Sequence, residues 1–360
     1  MKVGMVGLPN VGKSTVFNSL TQAGAEAQNY PFTTIDPNFG VVSVSDRRLE
    51  ALAEVMHSKL VVPATINFVD IAGLVRGARE GEGLGNQFLG NIRECEAVAH
   101  VVRCFEDENV AHVYGGVNPA GDIEIINTEL LLADLATVEK RFERVGRAAK
   151  SGNAGLRREV EELEKLIHHL SNGTPARTYP PSDALAEVLG TLITAKPTIY
   201  VANVDEESIS AGNRYSAEVE KLATLEGAEY VKLSAKLESE VAELPGDEAR
   251  EYLAMLGAES TGFEEFIKAA YGLLGLITFF TANNKESRAW TVKKGSIARQ
   301  AAGKVHSDME RGFIAAEVGS WEDIVTAGSW MRAREAARVR LEGRDYVLKD
   351  GDVMIVRFNI

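Results

Sequence analysis

Gly7-Leu8-Pro9-Asn10-Val11-Gly12-Lys13-Ser14-Thr15 follows the apolar run Val3 to Val6 and precedes Val16, Phe17 and Leu20 at helical spacing. Strand, glycine loop and helix in that order are the setting of a phosphate loop, G-x-x-x-x-G-K-S. Gly7 and Gly12 allow the tight turn that aims backbone N–H groups at phosphate oxygens. Lys13 is then placed to reach the β- and γ-phosphates, and the Ser14 hydroxyl to ligate Mg2+. The start of the helix near Gly12 adds its positive dipole end to the same anion site. The competing reading, a glycine-rich turn with an incidental Lys-Ser, does not account for the motifs that follow in order downstream.

The chain has 360 residues, more than one hydrophobic core usually holds, so two or three domains are expected. A quarter of its residues are charged and 45% are apolar, the make-up of an ordinary globular protein. No apolar run approaches a bilayer span, and the N-terminus reads as strand and phosphate loop instead of a signal peptide, which points to the cytoplasm. Cys95 and Cys104 are too few for a disulfide framework or a four-cysteine zinc site and read as buried small side chains. The net charge of −13 argues against nucleic-acid binding over the whole surface and leaves a local basic face open.

Beyond the first helix, Asn29 to Asn38 carries two prolines and no helical period. In a P-loop NTPase the mobile segment at this point offers a Thr to Mg2+ and the γ-phosphate. Thr34 is the expected ligand, with Thr33 the runner-up. Val41 to Val44 and Thr65 to Val69 read as strands, the second ending in Asp70-Ile71-Ala72-Gly73. An acid in the place of Asp70 holds Mg2+ through water, and an N–H in the place of Gly73 meets the γ-phosphate. Gly73, Gly77, Gly81, Gly83 and Gly85 then mark a second switch. Leu74 stands where water-activating GTPases usually carry Gln, and an aliphatic side chain cannot orient water. Two other groups are candidates for that task. One is K+ held near the phosphates by Asn10; the other is His112, in the polar segment after the strand Ala97 to Phe105. A plain loop histidine is the competing reading of His112.

From Asn127, apolar residues recur at helical spacing through Phe142 and again from Val160 to Leu170, with Gly152, Asn153 and Gly155 between the runs. An antiparallel helical hairpin is expected, and its interleaved charges read as a solvated surface. A spacer and a partner-binding arm fit it equally. The strand Lys196 to Ala202 then delivers Asn203-Val204-Asp205-Glu206. GTPases place N-K-x-D here, where the Asp accepts two hydrogen bonds from guanine. Glu206 in that place is one methylene longer, which moves the preference towards ATP. Ser234-Ala235-Lys236, after the strand Glu229 to Leu233, fits the S-A-K element whose backbone touches the base.

With these elements in place the chain resembles the YchF family, Obg-related P-loop NTPases of the translation-factor class. The resemblance rests on GLPNVGKST, NYPFTTIDPN, DIAGLVRGAREGEGLGNQFL, NVDE, FFTANNKESRAWTV, AAGKVHSDMERGFIAAEV and DGDVMIVRFN, and covers almost the whole length. It implies an ATPase in which Asn10, Val11, Gly12, Lys13, Ser14 and Thr15 hold the phosphates, Ser14 and Thr34 hold Mg2+, and Asn203 and Val204 contact adenine. It also implies that Leu74 is the family's normal hydrophobic substitution, and it favours His112 as a catalytic aid beside Lys13. The family's C-terminal module is a TGS domain, a small β-grasp unit.

The fold class expected is therefore α/β. A Ras-like P-loop NTPase domain with a mostly parallel sheet spans 1–126 and 197–277, with an inserted helical hairpin at 127–196 and a TGS domain at 278–360. Without the family, Ile277 to Thr281, Trp290 to Val292, Phe313 to Val318, Tyr346 to Leu348 and Val353 to Phe358 read as its strands, with a helix from Ser296 to about His306. Arg332, Arg334, Arg338, Arg340 and Arg344 read as one arginine-rich helix that either meets RNA phosphates or is simply solvated. The leading functional expectation is a slow, Mg2+-dependent ATPase switch whose partner is the ribosome or its large subunit, with RNA and protein contacts, no membrane and no DNA. A nucleotide-stabilised scaffold and an Obg-like GTPase are the alternatives.

Overall fold

The computed structural model describes residues 1–26, 38–71, 84–112, 115–150, 153–257 and 260–359. The chain opens with β1 (Lys2–Val6), α1 (Lys13–Glu26), β2 (Phe39–Val44), α2 (Arg47–Val55), β3 (Leu60–Val62), β4 (Ala64–Asp70), α3 (Leu84–Arg93) and β5 (Ala97–Cys104). It continues through α4 (Pro119–Ala149), α5 (Ala154–Ser171), α6 (Ala186–Leu189), β6 (Thr198–Val204), α7 (Arg214–Glu226), β7 (Glu229–Leu233), α8 (Ala235–Ala242), α9 (Gly246–Met255) and α10 (Gly262–Leu273). The last stretch holds β8 (Leu276–Ala282), β9 (Glu286–Lys293), α11 (Ala298–Val305), α12 (Ser307–Arg311), β10 (Phe313–Ser320), α13 (Trp321–Ala327), α14 (Trp330–Glu335), β11 (Arg340–Glu342) and β12 (Asp352–Phe358). Contacts divide these into two units, Met1–Val42 with Asn67–Ala270, and Ser43–Ile66 with Tyr271–Ile360.

The first unit is built on a six-stranded sheet in the order β2-β4-β1-β5-β6-β7. β1 lies parallel to both β4 and β5, and β5, β6 and β7 follow in parallel. Every residue of β5 and β6 is buried, the mark of strands covered on both faces and the reason they read as continuous apolar runs. From β1 the order runs outward in both directions, so its carboxyl end is a topological switch point, where parallel sheets bind ligands. α4 and α5 form the hairpin, burying Leu131, Val138 and Val145 with Leu163, Leu166 and Leu170. Asn118 caps α4 ahead of Pro119, so the helix is already running before the change of pattern at Asn127, and Asn153 caps α5.

The second unit is also six-stranded, in the order β11-β10-β12-β8-β9-β3. One face buries Ile277, Phe279 and Met354 with Ala298, Ala301 and Ala302 of α11. The other buries Phe280, Ala282 and Val353 with Leu49 and Leu52 of α2 and Ile324 of α13. The N-terminal half of the chain thus supplies this sheet with a covering helix and, through β3 parallel to β9, an outer strand. Arg48 pins that segment by pairing with Asp350 at 2.6 Å, while the other oxygen of Asp350 accepts from Thr278 N at 2.8 Å. The sequence reading places all of 1–126 with the nucleotide-binding module; by contacts, Ser43–Ile66 goes with the C-terminal unit and the hairpin with the first.

Two expectations for this unit are corrected. Tyr346 to Leu348 is not a strand but makes a single bridge, Val347 to Ile297, and the edge strand is Arg340–Glu342 instead. The five arginines do not share a helix. Arg332 and Arg334 lie on α14, Arg340 on β11, and Arg338 and Arg344 in the connections. Arg334 approaches Glu317 at 3.7 Å, Arg338 approaches Asp323 at 3.7 Å and Arg340 pairs with Glu342 at 3.2 Å, so acids of the unit itself already face three of them. Among the described residues no helix is long and apolar enough to cross a membrane.

Candidate functional site

β1 is buried from Val3 onward and delivers the glycine loop to the switch point. Leu8 and Val11 tuck into the core, and α1 begins with the Val16 N–H bonded to Gly12 O at 2.9 Å. Asn10 and Gly12 have φ of 64° and 86°, the left-handed values the tight turn needs. A Cβ on Gly12 would run into the Asn203 amide, and one on Gly7 would sit 2.7 Å from Val101 O. At both positions the space a Cβ would need is already filled by neighbouring residues, so the loop takes this path against β5 and β6 only with glycine there.

Lys13 is buried and pairs with Asp70 at the end of β4, and the Ser14 hydroxyl donates to the other oxygen of Asp70 at 3.1 Å. An ammonium and a hydroxyl that converge on one carboxylate can converge equally on phosphate oxygens. The Ser14 and Asp70 oxygens are also the hard donors that Mg2+ takes. The residues present thus fit both a nucleotide phosphate chain and a divalent cation.

Asn203, at the carboxyl end of β6, is 3% exposed and joins two loops. Its Nδ2 donates to Val11 O at 2.9 Å and its Oδ1 accepts from Ala235 N at 3.0 Å. Both ends of the amide are taken, so Asn203 braces the phosphate loop against the Ser234–Lys236 turn. Ser234 caps α8, accepting from Leu237 N at 3.4 Å. Beside this brace opens a cleft of about 880 Å³. It brings together Asn10, Gly12, Thr15, Asn203, Val204, Glu206, Ser234 and Ala235 of the expected site. Lys236 meets Glu206 at 2.7 Å on the rim.

A further wall of the cleft, formed by Phe105, Glu106, Asp107, Val110, Arg214 and Tyr215, was not among the expected site residues. Glu106 accepts from the Tyr215 hydroxyl and from Arg214, and these bonds lower its pKa. A signal was available in Arg103, the charged residue of a strand that is apolar apart from it and His100. His112 ends this wall's segment but does not line the cleft; its Nε2 lies 3.0 Å from Asp122 Oδ2 on α4. Burial raises the Asp122 pKa, and the His112 bond and the charges of His112 and Arg103 oppose that rise. Thr33, Thr34, Gly73 and Leu74 lie outside the described residues. Cys95 and Cys104 are free and buried, and burial pushes the Cys95 thiol up to about 11.

A lysine-bearing glycine loop on β1, an acid ending β4 and a brace from β6 define a P-loop nucleotide-binding domain of the G-domain class. Residues 2–126 match the family described as 50S ribosome-binding GTPase, and residues 276–359 match the YchF-GTPase C-terminal family, described as a protein of unknown function. The chain is 50% identical to the ribosome-binding ATPase YchF of Bacillus subtilis (strain 168), over all of both chains. It is 51% identical to that of Escherichia coli O157:H7, covering all of this chain and 99% of the other. The solved YchF GTPase of Schizosaccharomyces pombe superposes with a TM-score of 0.90 at 34% identity, covering 99% of this chain and 97% of that one. The chain belongs to the YchF family.

Proposed function

We propose that this chain is a P-loop ATPase that binds ATP with Mg2+, hydrolyses it slowly, prefers it to GTP, and lets the bound nucleotide govern its association with the ribosome. The carrying observation is the convergence of Lys13 and Ser14 on Asp70 beside a cleft whose base-reading element ends in Glu206. The bacterial relatives bear the name ribosome-binding ATPase, which supports the ribosomal partner, and the cytoplasm is the setting that partner implies.

In this reading Lys13 exchanges Asp70 for β- and γ-phosphate oxygens, and the N–H groups from Asn10 to Thr15, with that of Gly73, surround the phosphates. Ser14 and Thr34 hold Mg2+, with Asp70 behind them through water. When bound, the ion supplies positive charge to the oxygens that gain charge as the γ-phosphoryl group leaves. His112 leaves its bond with Asp122 to orient the attacking water; K+ held at Asn10 is the second candidate for that task. Val204, Ser234, Ala235 and Glu206 surround adenine, with Asn203 bracing the loop. The C-terminal unit takes the role of a TGS domain. The GTPase alternative draws on the name of the fission-yeast relative.

The test is turnover of ATP and of GTP by the parent and by Lys13→Ala, together with ribosome cosedimentation in a non-hydrolysable ATP analogue and in ADP. Expected are faster ATP than GTP cleavage, loss of turnover in the variant, and ribosome binding that differs between the nucleotides. Faster GTP cleavage, or an unaffected variant, would overturn the reading.

A further inference from the structure

β5 is apolar apart from His100 and Arg103, and Arg103 is 2% exposed. A buried guanidinium is tolerated only where its donors are met. Each of the three guanidinium nitrogens of Arg103 donates to a carbonyl of the segment that follows. Nε donates to Phe105 O at 3.1 Å, one terminal nitrogen to Val110 O at 2.9 Å and the other to Asp107 O at 3.2 Å. The guanidinium also lies over the Phe105 ring, 4.7 Å from its centre. Asp122 contributes the nearby countercharge.

Residues 105–112 have no helix or strand of their own, and their internal bonds gather on Asp107, which receives Val110 N at 3.2 Å and Asn109 N on its side chain at 2.8 Å. One planar fork thus gathers three carbonyls of an otherwise irregular loop. At its far end the same loop touches the phosphate loop, where Ala111 O accepts from Asn10 Nδ2 at 3.1 Å, and the next residue, His112, bonds to Asp122 on α4. Phe105, Asp107 and Val110 meanwhile line the cleft.

We infer that Arg103 is a positioning residue, which sets residues 105–112 so that Ala111 O meets Asn10 of the phosphate loop and the next residue, His112, is held within reach of it. The inference rests on the ATPase reading, with His112 the group that orients water. A lysine at this position keeps the charge but is a point donor and cannot span three carbonyls in one plane.

The test uses the full chain carrying Arg103→Lys, His112→Ala, and both. Arg103→Lys is expected to slow single-turnover ATP cleavage by about tenfold or more, because a small misplacement of a reacting group has effects of that order. Affinity for a fluorescent ADP, whose cleft Phe105, Asp107 and Val110 line, should fall by less than the cleavage rate does, and in the His112→Ala background Arg103→Lys should slow cleavage by less than about twofold, since the two act as a unit. In the nucleotide-free protein, hydrogen exchange at Asn109 and Val110 should speed up by about tenfold or more. Equal slowing in both backgrounds, or unchanged exchange, would overturn the inference. A parent that does not cleave ATP would instead sink the ATPase reading, and exchange would still decide whether Arg103 holds the loop.

Discussion

Glu206 and Lys236 face each other at 2.7 Å at the cleft beside the phosphate loop, so the carboxylate we propose to stand in the base-reading position is already engaged by a cation of the neighbouring turn. The pair raises the Lys236 pKa, and Lys236 is largely exposed. A carboxylate occupied in this way is a poor acceptor for the paired N–H groups of guanine. Shortening or freeing it should favour guanine: Glu206→Asp and Lys236→Ala should each move the ATP-to-GTP affinity ratio towards GTP by about tenfold, roughly 1.4 kcal/mol. Competition against a fluorescent ADP reads this directly. Val204→Lys is a poor companion change, because Val204 packs with Val102, Cys104 and Val219 and an ammonium there would be buried.

Lys13→Ala should do more than stop turnover. In the nucleotide-free protein it strands the Asp70 carboxylate, which is 14% exposed, with the Ser14 hydroxyl as its remaining side-chain partner among the described residues. Stability should fall by about 2 kcal/mol, the usual cost of leaving a largely buried polar group underpaired. Urea unfolding without nucleotide measures it; Asp70→Asn combined with Lys13→Ala should recover part of the loss.

Glu238 gives the fold a pH dependence. It is 3% exposed on α8, accepts from Gly262 N at 2.6 Å, and burial pushes its carboxyl up from 4.5 to about 7. Between those values the folded state keeps a proton that the unfolded chain has released. Stability from this group is therefore full below about pH 4.5 and declines as pH rises through about 7, by about 3 kcal/mol in all. Glu238→Gln should remove that decline, so its unfolding midpoint should gain on the parent's between pH 5 and pH 8.

Asp134 anchors the helical arm. It is fully buried on α4 and accepts from Ile193 N at 2.9 Å, Thr194 N at 2.7 Å and the Thr194 hydroxyl at 2.8 Å. Asp134→Ala would orphan two backbone donors, at a cost of about 4 kcal/mol. Thermal melting should show the loss, and faster hydrogen exchange at Ile193 and Thr194 should locate it.

The parallel sheet, the phosphate loop and the hairpin were legible because each depends on local signals: buried strands as apolar runs, glycines at a tight turn, leucines at helical spacing. The destination of Ser43–Ile66 was not, because β3 gains its meaning only from β9, far along the chain. Tyr346 to Leu348 has strand-forming residues but no ladder to join, whereas Arg340–Glu342 pairs with β10 despite its charges. Motif spacing singled out Lys13, Asp70 and Asn203, which the fold brings to the carboxyl ends of β1, β4 and β6. It did not show that Asn203 serves as a brace, or that Phe105 to Val110 form a wall, since both follow from hydrogen bonds between distant segments.

The donated strand β3 bears on how the polypeptide is made. Leu60 to Val62 leave the ribosomal exit tunnel long before Glu286 to Lys293 exist, so during synthesis a short apolar segment waits without its ladder, a natural client for chaperones. A C-terminal fragment produced from residue 276 onward would for the same reason bare the edge of β9 and the face that α2 covers, and should aggregate unless residues 43–66 are supplied in trans.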